Sequence, residues 1–388
     1  MSTKLDTEQA VRERYAAAAQ ECEPQLCCPV DYDAQYLKVI PDEVIQRDYG
    51  CGDPSKYVRE GETVLDLGSG GGKICFIASQ VVGPSGTVIG VDMNDTMLDL
   101  ARGSQASVAD KIGYSNVRFC KGRIQDMAID RDAVDEYLKA NPITDEASLQ
   151  RYEAFATQMR RESPMIPDNS VDVVVSNCVL NLVDASEKEK LFAEIFRVLK
   201  RGGRAVISDI VSDEEVPVSM QNDPELWSGC ISGAFQECDF LSAFDRAGFY
   251  GIEMPILQDE PWQTVEGIEF RSTTVIAYKG KEGPCFEHNE AVIYRGPFRS
   301  VTDDMGHVFD RGERTAVCRK TFEIMTREPY TQHFVAVEPR ERIDPKDAKP
   351  FTCSGGVEKR PPKITKGRGY KANILPQADS CCDSGDCC

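Results

Sequence analysis

The sequence predicts an α/β protein built on a doubly wound, mostly parallel sheet. From Gly61 onwards, segments typical of strands alternate with segments typical of helices, which is the order that parallel sheets require. The first strand runs into a glycine-rich turn, "DLGSGGG" at residues 66–72. A later segment, "VDVVV" at residues 171–175, is almost continuously apolar, as expected of a strand that helices cover on both faces.

Length and composition restrict the class of protein. The chain has 388 residues, enough for two or three domains, and its 41% hydrophobic and 28% charged residues are typical of a soluble globular protein. A net charge of −19 argues against nucleic acid as a partner, because phosphate binding needs clustered Lys and Arg. We see no apolar run near the roughly 18–20 residues of a membrane span and no apolar segment typical of a secretory signal. We therefore expect a cytoplasmic protein with no membrane partner, and we expect a monomer.

The predicted elements follow one another in a regular order. A helix over residues 8–20 and a short helix that begins with Pro41 precede the sheet. Strands are predicted over residues 62–68, 86–92, 116–122, 171–177 and 204–211. Helices are predicted over residues 71–83, 94–112, 132–140, 146–162 and 186–200, the last ended by the glycines of "RGG".

The regular alternation of strands and helices ends after Asp213, and this change sets the predicted domain boundaries. Residues 223–249 look helical, and residues 251–259 and 269–280 look like strands. Short strand-like segments follow, and from about residue 341 the chain is rich in Pro and Lys and is predicted to be extended or disordered. The predicted divisions are an N-terminal helical and Cys-containing segment 1–60, a ligand-binding domain 61–212, a segment 213–282, a small β-rich module 283–345 and a flexible Cys-rich tail 346–388.

The cysteines suggest thiol chemistry or soft-metal binding. There are 16 of them, too few for a disulfide scaffold at this length, and a cytoplasmic location would keep them reduced. All three histidines lie after residue 287, so mixed Cys/His zinc sites are not expected in the main body. Cys178 directly follows the strand that ends at residue 177, where ligands bind in open α/β sheets. Cys75, Cys120 and Cys238 are predicted to be packing residues.

The glycine-rich turn predicts a site for an adenosine-type ligand. Glycines between a strand and a helix permit a tight turn and close approach of a ligand to the backbone. Asp92 ends the next strand, where a carboxylate can accept hydrogen bonds from ribose hydroxyl groups. The G-x-G-x-x-G pattern of nicotinamide enzymes fits poorly, because Lys73 stands in place of its last glycine.

Three stretches together resemble the S-adenosylmethionine-dependent methyltransferases: "DLGSGGG", "GVDMN" and "LKRGGRAVISD" at residues 199–209. The resemblance implies a Rossmann-like methyltransferase sheet with S-adenosyl-L-methionine as the cofactor. It implies that Gly68 and Gly70 approach the methionine part of the cofactor, and that Asp66, at the start of the motif, belongs to the same cofactor site. By the same resemblance, Asp92 binds the ribose, Met93 lies against the adenine, and Ile124 lies at the adenine edge with Gly122 and Arg123.

A closer resemblance concerns the cysteines. "YGCG", "VVSNCVLNLV", "SGCISGA" and "EGIEFRSTTVIAYK" are similar to the arsenite S-adenosylmethionine methyltransferases. The resemblance implies that Cys178 and Cys230 bind trivalent arsenic, that Cys51 supplies a third thiolate, and that residues 213–282 contribute to arsenic binding. It also implies disulfide exchange between Cys51 and an N-terminal cysteine. Cys22, Cys27 and Cys28 are all candidates, and we favour Cys28 or its neighbour Cys27.

The implied function is methylation of arsenite for arsenic detoxification, with thioredoxin or glutathione as the reductant. Two alternatives stay open. The first is a small-molecule C- or O-methyltransferase whose cysteines are incidental. The second is a non-catalytic protein that binds soft metals. The number of methyl groups added is open, and "CCDSGDCC" at the C-terminus suits capture of soft ions outside catalysis.

Overall fold

The computed structural model describes residues 7–20, 23, 30–353, 358–367 and 369–370, and the chain divides into two compact units, Met1–Gly280 and Lys281–Cys388. The helices of the first unit are α1 Thr7–Ala18, α2 Ala34–Leu37, α3 Asp42–Gln46, α4 Lys73–Val82, α5 Asp95–Ile112, α6 Arg131–Ala140, α7 Glu146–Glu162, α8 Lys188–Val198, α9 Val218–Gln221, α10 Pro224–Ser228 and α11 Glu237–Arg246. Its strands are β1 Thr63–Leu67, β2 Thr87–Asp92, β3 Val117–Lys121, β4 Val171–Asn177, β5 Leu199–Ser212, β6 Phe235–Gln236, β7 Tyr250–Leu257, β8 Gln263–Val265 and β9 Ile268–Tyr278.

One sheet organises the first unit, in the order β3-β2-β1-β4-β5-β9-β7, with β6 paired to β5 and β8 paired to β9. The strands from β3 to β5 are parallel, whereas β9 runs antiparallel to β5, β7 and β8. Val173, Val174 and Val175 of β4 are fully buried, as the apolar run predicts. The prediction of a doubly wound, mostly parallel sheet is confirmed. Its order reverses between β1 and β4, which is the point where such sheets bind ligands.

The glycines of "RGG" do not end a helix as predicted. Helix α8 ends at Val198 and β5 begins at the next residue, so these glycines lie inside a strand. Gly202 has a φ of 84°, and the pairing register between β4 and β5 shifts beside it. Because glycine adopts this conformation readily, the chain turns from α8 into β5 through an irregularity of the strand.

The helix predicted over residues 223–249 is interrupted. Helix α10 ends at Ser228 and α11 begins at Glu237, with a tight turn and the short strand β6 between them. A Cβ on Gly233 would lie 1.9 Å from the carbonyl oxygen of Asn181, so the turn passes too close to its neighbour for any side chain there. Cys230 lies in this turn rather than on a helix.

The second unit is small and rich in antiparallel strands. They are β10 Phe286–Glu287, β11 Ala291–Tyr294, β12 Ser300–Thr302, β13 Val308–Asp310, β14 Arg314–Ala316, β15 Phe334–Val337 and β16 Lys349–Pro350, with helices α12 Arg319–Met325 and α13 Pro362–Lys366. The structure extends past the boundary predicted at residue 345. Strand β16 pairs with β10, and the buried Arg360 guanidinium donates to both carboxylate oxygens of Glu287 at 2.8 Å. None of the helices in the described ranges combines the length and apolarity needed to cross a membrane.

Candidate active site

A cavity of about 520 Å³ opens at the carboxyl edge of the sheet, beside the reversal between β1 and β4. Its walls come from the β1–α4 turn, the end of β2, residues 122–125, helix α1 and the segment that follows β4. Six residues predicted to bind a cofactor all line it, namely Asp66, Gly68, Gly70, Asp92, Met93 and Ile124. Cys178 lines the same cavity, so a thiol faces the space that a cofactor would share.

The β1–α4 turn needs glycine at two positions that face the cavity. Gly68 has a φ of 66°, and a Cβ there would lie 2.4 Å from a methyl group of Val179. Gly70 has a φ of 51°, and its N–H donates to a carboxylate oxygen of Asp92 at 2.9 Å. The other oxygen of Asp92 accepts from the N–H of Asn94 at 2.8 Å. The turn is therefore held against the end of β2, with its backbone exposed to the cavity.

The chemistry of the cavity fits S-adenosylmethionine. Asp92 offers carboxylate lone pairs, beyond those used by Gly70 and Asn94, to ribose hydroxyl groups. Burial raises the pKa of Asp92, although backbone hydrogen bonds from Asn94 and Gly70 lower it in part. Met93 and Ile124 supply apolar surface for an adenine ring, and the small residues at Gly68 and Gly70 leave room for the amino-acid part of the ligand.

Asp66 lies under this turn and is nearly fully buried. Burial raises its pKa to about 8; the hydrogen bond that the Cys75 thiol donates at 3.2 Å lowers it, and the charges of Asp48 and Asp92 raise it further. Burial therefore favours the protonated form of Asp66, which lines the cavity beneath the turn. Cys75 is fully buried, as predicted for a packing residue.

The predicted thiols lie together in a buried cluster. Cys51, Cys178 and Cys230 belong to one apolar group with residues of β5 and β9. The sulfurs of Cys51 and Cys178 and a carboxylate oxygen of Asp209 lie within 4.8 Å of one another. The Cys230 thiol points to the carbonyl oxygen of Cys178 at 3.2 Å. Three distant parts of the chain therefore pack their cysteines into one buried group, in which Cys178 alone lines the cavity. Cys230 is not among the ligand atoms that lie within 4.8 Å of one another; Asp209 takes that place.

Two of these cysteines have an uncommon backbone conformation. Cys178 has a φ of 62° and Cys230 a φ of 64°, in the left-handed region that non-glycine residues rarely adopt. Such a conformation costs of order 1–3 kcal/mol, and residues that adopt it cluster at functional sites. The Asp209 carboxylate fixes the turn after Cys178 by accepting from the N–H groups of Leu180 and Asn181 at 2.9 and 3.3 Å.

The Cys51 loop is attached to the end of β4 by one side-chain amide. The Oδ1 atom of Asn177 accepts from the N–H groups of Cys51 and Gly52 at 2.9 and 3.0 Å, and its Nδ2 donates to the carbonyl of Gly52 at 2.8 Å. A Cβ on Gly50 would lie 2.0 Å from Asn177 Nδ2, so the loop packs directly on this amide. Ser272 of β9 donates to the Cys51 carbonyl at 2.6 Å.

Sequence reasoning missed three titratable residues around the thiols. Burial raises the pKa of Asp209 to about 6, although three backbone N–H groups and Lys188 lower it. Burial lowers the pKa of Lys188 to about 8, against the opposing charges of Asp209, Cys230 and Asp184. Burial and the charges of Cys230 and Cys178 raise the pKa of Tyr15, which hydrogen-bonds Cys230. Asp209 is the one acidic residue in the apolar stretch "VISDI" of β5, and this position could have marked it as a candidate site residue.

The remaining predicted cysteines have different outcomes. Cys22, Cys27 and Cys28 lie outside the described residues, as do the cysteines of "CCDSGDCC". Cys120 is half-buried. Cys238 is exposed on α11, so the prediction that it packs in the core is wrong. Its side chain faces outwards because the buried face of α11 consists of Phe240, Ala243 and Phe244.

Comparison with known proteins finds methyltransferases by family and by individual relatives. A family described as a methyltransferase domain matches residues 59–159 and 139–248, and a domain of unknown function matches residues 281–370. An arsenite methyltransferase of Aquipseudomonas alcaligenes is 30% identical, over 79% of this chain and 83% of that protein. The Homo sapiens arsenite methyltransferase is 29% identical, over 77% of this chain and 73% of its own length.

A solved structure shares both fold and sequence with the chain. It is the crystal structure of an arsenic (III) S-adenosylmethionine methyltransferase from Chlamydomonas reinhardtii, which superposes with a TM-score of 0.54 at 26% identity. The match covers 81% of this chain and 99% of that one.

Proposed function

The chain belongs to the S-adenosylmethionine-dependent arsenite methyltransferases, and we propose that Cys51, Cys178 and Cys230 hold the arsenic as thiolates during methyl transfer. The observation that carries this proposal is the buried cluster of the three cysteines with Cys178 on the wall of the cofactor cavity. Thiolates favour soft, thiophilic centres such as trivalent arsenic. The left-handed backbone at Cys178 and Cys230 supports a role for both residues beyond packing.

Asp66, Gly68, Gly70, Asp92, Met93 and Ile124 hold the cofactor. When bound, S-adenosylmethionine supplies an electrophilic sulfonium methyl group. The Gly68 and Gly70 backbone accommodates the amino-acid part, and Asp92 accepts from the ribose hydroxyl groups. Burial favours the protonated form of Asp66, which supports the floor of the cavity through its hydrogen bond with Cys75.

The three thiolates orient the arsenic. Arsenic bound by three sulfurs is pyramidal and keeps a lone pair, so the protein's main task is to direct that lone pair at the methyl group. Correct positioning alone can lower a barrier by several kcal/mol. No proton leaves the arsenic nucleophile, so the transfer itself needs no general base.

We further propose that a disulfide exchange follows each transfer. Methylation formally raises arsenic from the trivalent to the pentavalent state, and two thiolates can return the two electrons by forming a disulfide. By family resemblance, Cys51 and an N-terminal cysteine, Cys28 in our preferred assignment, form this disulfide. Thioredoxin or glutathione would reduce it. These steps would serve arsenic detoxification in the cytoplasm by a monomeric enzyme.

Arsenic speciation tests the proposed reaction. The full chain is incubated with arsenite, S-adenosylmethionine and thioredoxin with its reducing system, and arsenic species are separated and quantified. We expect methylated arsenic and one S-adenosylhomocysteine molecule for each methyl group transferred. Tight arsenite binding without S-adenosylhomocysteine would instead favour a non-catalytic soft-metal protein. Failure to methylate arsenite, together with methylation of a carbon or oxygen acceptor, would favour a small-molecule methyltransferase.

A triple substitution tests the reductant step. Replacing Cys22, Cys27 and Cys28 by serine should leave the first methylation and reduce later turnovers when thioredoxin is the only reductant. A small-molecule dithiol should restore turnover, since it can reduce the arsenic directly. Normal multiple turnover of the triple variant with thioredoxin alone would contradict a resolving role for these residues.

A further inference from the structure

A second cluster of thiols lies in the C-terminal unit, outside the cavity and the residues of the proposed reaction. We name it the trithiol cluster: Cys285, Cys318 and Cys353, whose sulfur atoms all lie within 4.8 Å of one another. The three residues are separated by 33 and 35 positions in the sequence. Their convergence is therefore a property of the fold rather than of a local motif.

Each thiol of the trithiol cluster is held by a different element. Cys285 precedes β10 and Cys353 follows β16, and these strands pair in antiparallel fashion. The N–H of Phe351 donates to the carbonyl of Cys285 at 2.9 Å, which extends this pairing towards the thiols. Cys318 immediately precedes α12, and its sulfur accepts from the N–H of Thr321 at 3.4 Å. Backbone contacts therefore hold Cys285 and Cys318, and Cys353 follows two residues after Phe351, which pairs with Cys285.

Access and charge also suit a bound ion. Cys318 is fully buried, whereas Cys285 and Cys353 are half-buried, so the cluster is partly open to solvent. The Lys320 ammonium donates to the carbonyl of Gly283 at 2.9 Å, two residues before Cys285, and supplies positive charge next to the thiols. That charge offsets part of the negative charge that three thiolates would carry.

The geometry favours an ion with three sulfur ligands. Three sulfurs at about 2.3 Å from one ion lie roughly 3.8 Å apart at tetrahedral angles and somewhat closer at the narrower angles of a pyramidal ion, so small side-chain rotations would close the observed cluster. Structural zinc takes four protein ligands. Among the described residues, no fourth His, Cys, Asp or Glu joins the trithiol cluster. Trivalent arsenic needs only three sulfurs.

We propose that the trithiol cluster is a second binding site for trivalent arsenic, distinct from the methylation site. Binding is a ligand exchange in which one arsenous acid and three thiols give one tris-thiolate complex and three waters, with no change of oxidation state. The choice of arsenic among soft ions rests on the proposed function. The existence of a soft-ion site does not, because it rests on the three sulfurs alone.

Residue-resolved alkylation tests this proposal on the full chain. The protein is kept reduced with a phosphine and without S-adenosylmethionine, and iodoacetamide modification of each cysteine is followed by mass spectrometry. Arsenite at ten times its dissociation constant should slow alkylation of Cys285 and Cys353 by about tenfold. Cys238 is exposed and belongs to neither group of thiols, so its alkylation rate should be unchanged.

A matched pair of variants tests whether the protection from alkylation comes from the trithiol cluster. Cys318→Ser leaves two thiols, so half-protection of Cys285 should require at least about ten times more arsenite. Cys238→Ser should leave the protection of Cys285 unchanged. The assay is repeated in the Cys178→Ser/Cys230→Ser background, where protection of Cys285 should persist. Persistence there would support the second site even if arsenite methylation by the wild-type chain failed.

Three results would overturn the proposal. Unchanged alkylation of Cys285 and Cys353 in the presence of arsenite would show that arsenite does not bind the trithiol cluster. Protection by zinc sulfate at concentrations where arsenite gives none would reject arsenic as the occupant. A Cys285–Cys353 disulfide that persists in the phosphine would show that the thiols are unavailable to an ion.

Discussion

Burial raises the pKa of several aspartates, and these shifts predict how the stability of the protein depends on pH. In the unfolded chain an aspartate has a pKa of about 3.9, whereas burial raises the pKa of Asp66 to about 8. Between these two values the folded protein binds a proton that the unfolded chain has released. The free energy of unfolding should therefore fall as the pH rises from about 4 to about 8, by up to about 1.4 kcal/mol per pH unit.

Asp66→Asn tests this assignment, because asparagine is a neutral side chain of the same shape. The free energy of unfolding, measured by urea denaturation without cofactor at pH 5, 6, 7 and 8, should vary less steeply in the variant. Asp92 and Asp209 also have raised pKa values, so a remaining slope is expected in both proteins. Equal slopes in the wild type and Asp66→Asn would mean that Asp66 is charged in the folded protein.

Asp92 carries the second prediction at this scale. Its carboxylate accepts a hydrogen bond from the N–H of Gly70 in the glycine-rich turn, and we propose that it also accepts from the ribose hydroxyl groups. Asp92→Ala should weaken binding of S-adenosylhomocysteine by roughly 1–3 kcal/mol, the usual cost of removing a buried hydrogen-bond partner. Calorimetry measures this affinity directly. An unchanged dissociation constant would remove Asp92 from the cofactor site.

We propose that the β1–α4 turn is the element that permits the cofactor to approach the backbone. Gly68→Ala would place a methyl group against Val179 in addition to straining a φ of 66°. Gly113 is a matched control, because it has a φ of 87° at the end of α5 but no atom within 4 Å of the position that an alanine methyl group would take. Both substitutions should cost about 1–2 kcal/mol of strain.

Only Gly68→Ala should also affect the cofactor. Overpacking at a close contact costs a further 1–3 kcal/mol, roughly, and here it falls on the cavity wall. We expect at least about a tenfold weaker S-adenosylhomocysteine affinity for Gly68→Ala and an affinity within about twofold of wild type for Gly113→Ala. Equal affinities in the two variants would show that the turn tolerates a side chain and does not contact the cofactor.

The elements also show why parts of the fold could be predicted and others could not. The β1–α4 turn, the acid at the end of β2 and the apolar strand β4 have local signals, namely glycines, an acid after an apolar strand and a continuous run of valines. The break at residues 229–236 has only the two glycines of "SGCISGA" as a local signal, and its form follows from the close approach of Gly233 to the backbone of Asn181. Likewise, the sequence places Asn177 at the end of β4. Its contacts with the Cys51 loop could not be predicted, because Cys51 is 126 residues away along the chain.

At the scale of the whole molecule, the cysteines of the described ranges include two groups that come together from distant parts of the chain. One group lies by the cofactor cavity in the first unit, and the trithiol cluster lies in the second. Arsenous acid is uncharged at neutral pH, so the net charge of −19 does not repel it. The sulfonium cofactor is cationic, and a negative protein attracts it at long range. Net charge and thiol placement therefore agree with the proposed pair of substrates.

The central claim is that the thiolates of the first unit hold arsenic for methyl transfer. Its most direct test is the rate of arsenite methylation in Cys178→Ser and Cys230→Ser, with Cys238→Ser as the exposed control. Because a displacement of about 1 Å can cost on the order of 10²-fold in rate, losing a ligand should reduce the rate by at least that factor. S-adenosylhomocysteine affinity should be retained, and Cys238→Ser should methylate arsenite normally. A near-normal rate for Cys178→Ser would contradict the account.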